Sequence, residues 1–110
     1  MSITVNLYYE GKNGSSRKFV EEMEASGIAD AIRAEEGNLR YDYFQSFSNP
    51  DVVLLIDTWT SQKALDEHHQ SPMMQDLAEL REKYDLTMRV ERLKADLDYS
   101  ENQDQEYIRK

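Results

Sequence analysis

The sequence predicts one α+β domain with the element order β-α-β-β-α-β, the order of a ferredoxin-like sheet that carries its helices on one face. Three observations lead there. Residues 3–9 alternate apolar and polar side chains, as a half-buried strand does. Two longer stretches, one on each side of a central pair of strand-like runs, repeat apolar residues at helical spacing. A final apolar-alternating run closes the series, and 110 residues suffice for one such domain but not for two.

Taken in order, Ile3, Val5, Leu7 and Tyr9 face one side of the first strand and Thr4, Asn6 and Tyr8 the other. The turn residues Gly11-Lys12-Asn13-Gly14 end it. Ser15 or Ser16 is placed to cap a helix whose apolar positions are Phe19, Val20, Met23, Ile28, Ala31 and Ile32, with an interruption or kink at Ser26-Gly27. Glu35-Glu36-Gly37-Asn38 ends it, with Gly37 as a left-handed C-cap. Strands are expected over 39–47 and 52–60, joined by the hairpin cluster Ser48-Asn49-Pro50-Asp51. The run Val52-Val53-Leu54-Leu55-Ile56 does not alternate, so burial on both faces is expected for it. The second helical region opens near Thr60 or Ser61 and restarts at Ser71-Pro72, serine before proline being a favoured helix opening. Leu77, Leu80 and Tyr84 continue its buried face, and the last strand spans 86–93. Residues 1–95 thus form the domain. Residues 96–110 form an acidic C-terminal tail of five acids and two bases, an extension whose only anchors would be Tyr99, Tyr107 and Ile108.

Charge and cysteine content narrow the function. There are 22 Asp and Glu against 13 Lys and Arg, a net charge of -9. Nucleic acid and anionic membrane surfaces are disfavoured partners, because both require clustered Lys and Arg. The chain has no cysteine, which removes disulfides, thiolate nucleophiles and cysteine-held metals and fits a reducing cytoplasm. The open face of the sheet would carry several large apolar or aromatic side chains, and sheet-to-sheet homodimerisation is the simplest cover.

Few residues carry chemistry. His68 and His69 are the only histidines. Neighbours on a helix project about 100° apart and make a poor ligand pair, so no metal is expected. Either one facing the space between helix and sheet would be a general base, the alternative being a surface or core-bonded histidine. Trp59, the single tryptophan, either stacks on a planar ligand or seals the end of the core. Asn6 either binds a substrate oxygen or makes a structural hydrogen bond. Tyr8, Tyr41, Tyr43, Phe44 and Phe47 either line a pocket for a flat ligand or serve as ordinary strand aromatics.

Two stretches go beyond this generic chemistry. Glu35-Glu36-Gly37-Asn38-Leu39-Arg40-Tyr41 resembles the E-x-G-x-x-x-Y entry to the second strand of antibiotic biosynthesis monooxygenase (ABM) domains. The stretch from Trp59 to His68 resembles that family's tryptophan–helix signature, in which Ala, Leu and a histidine nine residues beyond the tryptophan are followed by Ser-Pro, as at Ser71-Pro72. The resemblance covers roughly residues 2–94. It implies a dimeric α+β barrel and, in the quinol-monooxygenase-like branch, oxidation of a small aromatic hydroquinone-like substrate by O2 with no cofactor. In that reading His68 assists deprotonation, Trp59 and Tyr41 sandwich the ring, and Asn6 bonds its oxygen. The quinone-forming members' Asn and Tyr partners fall here on Leu55 and Leu65. The haem-degrading members' catalytic Trp and His fall on His68 and Ala78, which disfavours haem degradation. A non-catalytic small-molecule-binding dimer, and an isomerase or lyase of a small oxygenated metabolite, are the alternatives.

Overall fold

The structure, a computed structural model, describes residues 1–109; Lys110, the last residue of the tail, lies outside them. Its order is β1 (Ile3–Glu10), α1 (Ser15–Ala25), α2 (Ile28–Arg33), β2 (Asn38–Gln45), β3 (Val52–Trp59), α3 (Gln62–His69), α4 (Met73–Lys83) and β4 (Thr87–Lys94). The four strands form one antiparallel sheet in the order β2-β3-β1-β4, the ferredoxin-like arrangement. The central strand, β1, sets Val5 opposite Asp57 of β3 on one side and opposite Arg92 of β4 on the other.

Alternation decides which side chains enter the core. Ile3, Val5 and Tyr9 are buried beneath the helices, as are Val53, Leu55, Asp57 and Trp59, every second residue of β3. The intervening Val52, Leu54, Ile56 and Thr58 are half-buried, so the expectation of burial on both faces holds for only one face within a single chain. Phe19 and Met23 of α1, Ala29 and Ile32 of α2, Leu65 of α3 and Leu77 and Leu80 of α4 close the core from above.

Each helical region is divided in two. Gly27, at φ 84°, separates α1 from α2. That left-handed residue resets the helical phase, so Ala29 and not the expected Ala31 turns inward. Neither Ser15 nor Ser16 caps α1: Gly14 is the N-cap, while the buried Ser16 hydroxyl donates to the Asp51 carbonyl at 2.9 Å. Ser61 caps α3 as expected, accepting from the Ala64 N–H at 3.1 Å. At the second restart Pro72 is itself the N-cap, and the buried Ser71 hydroxyl makes no hydrogen bond. Gly37 is left-handed (φ 87°) but sits in the turn before β2 and not at the helix end. A Cβ there would lie 2.5 Å from that of Ala64, so glycine also allows α3 to pass close over the turn.

Past β4 the chain forms two short 3-10 turns, Glu101–Gln103 and Gln105–Tyr107. Tyr99, Tyr107 and Ile108 remain exposed and do not anchor the tail to the domain. Among the described residues no helix is long and apolar enough to cross a membrane.

Candidate active site

Between the helix layer and the sheet lies a cavity of about 240 Å³. Its apolar walls come from Val5 and Leu7 of β1, Leu55 of β3, Leu65 of α3 and Leu77 of α4. Polar groups are few and come from separate elements: Tyr9, Tyr41, Asp57, His68 and Arg81, with His69 and Arg92. An apolar hollow with a small set of converging polar groups is the form that small-molecule sites take.

His68 is 4% exposed. Its Nδ1 lies 2.8 Å from Oε2 of Glu35, a residue of the turn between α2 and β2. A carboxylate accepting from Nδ1–H fixes the tautomer and leaves the lone pair on Nε2. Nε2 has no hydrogen-bond partner within the described residues. Glu35 does not line the cavity, so the ring is tethered on one edge and free on the other. Trp59 stacks on the imidazole with ring centroids 4.7 Å apart and planes inclined by 27°. Carboxylate and indole together hold the ring in one orientation. His69 also lines the cavity but is largely exposed; partial desolvation of its ring, then the proximity of His68, lowers its pKa.

Asp57 is the buried carboxyl of the cavity, 4% exposed. Burial pushes its carboxyl up to about 6. The Trp59 indole N–H, beside it but outside hydrogen-bond geometry, opposes that rise, as do His68 and the Asn38 amide, which donates at 3.4 Å. Tyr41 is almost fully buried, and its hydroxyl shares a 2.9 Å hydrogen bond with that of Tyr43. Desolvation raises the phenols of Tyr9, Tyr41 and Tyr43, which therefore stay protonated near neutral pH.

The four residues singled out in the sequence are divided by this geometry. His68 and Tyr41 share the cavity. Trp59 does not line it: the indole lies wholly buried behind His68, so the expected Trp59–Tyr41 sandwich around a ring is not formed. Asn6 is on the opposite face of the sheet, where its amide donates to Glu91 at 3.2 Å and its Oδ1 is buried without a partner. The cause is parity, because Asn6 alternates with Val5 and Leu7, which face the cavity.

Asp57 and Arg81 escape a reading of the sequence alone, and Glu35 is seen there only as the first residue of the E-x-G-x-x-x-Y stretch, with no role assigned to it. Asp57 carries a signal, since it shares the parity of the buried Val53, Leu55 and Trp59, where an acid is out of place. Glu35 lies 33 residues from His68, and no local pattern joins them. Among the described residues no three His, Asp or Glu side chains are grouped as a metal ion would require.

The chain matches known proteins in sequence and in fold. Residues 2–80 match the family model described as Antibiotic biosynthesis monooxygenase. The chain is 26% identical over 73 residues to "Putative monooxygenase YcnE" of Bacillus subtilis, covering 66% of this chain and 75% of that protein. It is similar in structure to Rv0793 of Mycobacterium tuberculosis, with a TM-score of 0.73 at 25% identity over 91% of this chain and 99% of that one. A mutant form of SnoaB, a cofactor-independent oxygenase from Streptomyces nogalater, shares the fold, with a TM-score of 0.73 at 14% identity over 89% and 98% of the two chains. With more than half of its length matched, and with strand order and helix placement in agreement, this chain belongs to the antibiotic biosynthesis monooxygenase family.

Proposed function

We propose that this protein is a cofactor-independent monooxygenase that oxidises a small hydroquinone-like phenol with O2, and that His68 is its base. The observation that carries the reading is the Glu35–His68 pair at the wall of an apolar cavity. A phenol bound there meets the free Nε2, which takes its proton, while Glu35 stabilises the imidazolium that forms. The phenolate is electron-rich enough to pass one electron to O2, and the apolar walls keep water from the radical pair. Collapse of the pair forms a C–O bond at the ring, and loss of water from the hydroperoxide leaves a hydroxyquinone. The sum is hydroquinone plus O2 giving hydroxyquinone plus water: four electrons leave the ring, one oxygen atom enters it and the other becomes water. Tyr41, protonated and lining the cavity, is placed to bond a ring oxygen.

The test is oxygen uptake and quinone absorbance with a panel of hydroquinones. Wild-type protein is expected to exceed His68→Ala by at least ten-fold on the accepted substrate. Equal rates with His68→Ala and a buffer blank contradict the reading. In the same proposal a second copy covers the open sheet face, where Phe44 and Leu93 are exposed and Leu54 and Ile56 half-buried. Sedimentation is expected to give twice the chain mass.

One observation favours a second reading. His68 and Asp57 are two proton-carrying groups in a single cavity, as an isomerase that removes a proton at one carbon and returns it at another would need. Turnover without oxygen consumption separates that reaction from oxygenation.

A further inference from the structure

The arginines of this chain differ in what they meet. Arg17, Arg33 and Arg40 each pair with a carboxylate of the chain. Arg81 and Arg92 both line the cavity, and neither makes an ion pair among the described residues. In a chain with 22 acids and 13 bases, a carboxylate partner is the easier outcome. Asp57 is the one carboxylate lining the cavity, so its lining reverses the sign of the molecule as a whole.

Arg81 is the better placed of the two. It reaches inward from α4, where its Nη2 donates to the Tyr9 hydroxyl at 3.2 Å and its guanidinium carbon lies 5.7 Å from the centroid of the Tyr9 ring. That phenol engages one nitrogen of the three. Nε is buried with no acceptor, and Nη1 makes no hydrogen bond within the described residues. Nη1, which unlike Nε is not sealed from solvent, is left as the donor that an oxygen of an anionic ligand would meet. Arg92 is exposed and held by a 2.6 Å bond to Gln62, so it adds positive potential at the rim.

We propose that Arg81 binds a carboxylate carried by the substrate, so that the cavity takes an acidic phenol of the hydroxybenzoate type in preference to a neutral one. The inference rests on reading this cavity as the substrate site, but not on oxygen chemistry. A carboxylate suits the site better than a phosphate: its planar pair of oxygens matches the guanidinium edge, and its single charge adds less repulsion with Asp57 than a dianion would. A volume of about 240 Å³ has room for one substituted ring.

The test is anaerobic calorimetry at pH 7.5 with 2,5-dihydroxybenzoate, its methyl ester and hydroquinone, on wild type, Arg81→Gln and Arg81→Lys. Wild type is expected to bind the acid at least ten-fold more tightly than the ester. Arg81→Gln is expected to cut that preference below two-fold by weakening the acid far more than the ester, and Arg81→Lys to retain part of it. The inference is overturned if acid and ester bind wild type within two-fold, if no probe binds, if the preference survives Arg81→Gln, or if that variant loses acid and ester alike. Oxygen uptake is read separately. An acid-selective cavity that never consumes O2 retains this inference and contradicts the oxygenase, and an oxygenase indifferent to the carboxylate does the reverse.

Discussion

β3 and β4 flank the same central strand and alternate in the same way, yet their fates differ. Along β3 the helix-facing residues Val53, Leu55, Asp57 and Trp59 are all buried. Along β4 every residue is exposed, and the helix-facing Met88 and Val90 are 42% and 53% accessible. The strand pattern is not the cause, because the helices lie over β2, β3 and β1 and stop short of β4. The cavity forms at that boundary, with Leu55 and Asp57 on the closed side and Met88, Val90 and Arg92 on the open side. Coverage by the helix layer therefore decides both where this domain is stable and where it can admit a ligand.

The largest difference is expected between substitutions on the two strands. Trp59→Ala on β3 removes the largest fully buried side chain and the ring that backs His68. A loss of about 3–5 kcal/mol is expected by denaturant unfolding. Val90→Ala on β4, on the open side, is expected to change stability by about 0.5 kcal/mol or less in the isolated subunit. Comparable losses at the two positions would mean that coverage does not separate the strands.

A smaller effect is expected from Asp57. Its carboxyl ionises near 3.8 ordinarily and at about 6 in the folded chain, because burial opposes the charge. Below pH 4 both states hold the proton and the group contributes nothing. Between pH 4 and 6 the folded state holds a proton that the unfolded state has lost, so stability falls as pH rises. Above pH 6 the penalty is constant, roughly 2–3 kcal/mol at about 1.4 kcal/mol per unit. Asp57→Asn is expected to remove that decline, which urea unfolding of both proteins from pH 4 to 7.5 would show as a widening gap in favour of the variant.

Glu35→Gln keeps an acceptor for Nδ1–H but removes the charge that supports the imidazolium. A rate loss of about ten-fold, equivalent to about 1.4 kcal/mol, is expected in oxygen uptake at saturating substrate. Asn6→Ala, on the far face of the sheet, is expected to change that rate by less than two-fold. An Asn6 effect as large as the Glu35 effect would place chemistry on the wrong side of β1.

Much of this frame is legible from residue patterns alone. The β-α-β-β-α-β order follows from periods of two and of three to four residues, and Ser61 and Gly27 mark real helix boundaries. Phase after a break is less legible: one left-handed residue at Gly27 rotates the rest of the helix, which is why Ala29 replaces Ala31 in the core. Of the site, His68 and Tyr41 are visible as residue types in suitable places. Their surroundings are not, because Glu35, Asp57 and Arg81 reach the site from three elements distant in sequence. Alternation correctly sets Asn6 on the face opposite Val5 and Leu7, but it does not say which of the two faces carries the cavity.

Ligand is expected to bind under the helices, beside His68, and not on the open face of the sheet. Methyl NMR during titration with 2,5-dihydroxybenzoate and with hydroquinone tests it directly, because Leu55 and Ile56 are chain neighbours on opposite faces of β3. The Leu55 and Leu77 methyls and the His68 ring are expected to shift, while Leu54 and Ile56 stay unchanged. Shifts confined to Leu54 and Ile56, with His68 silent, would contradict the account.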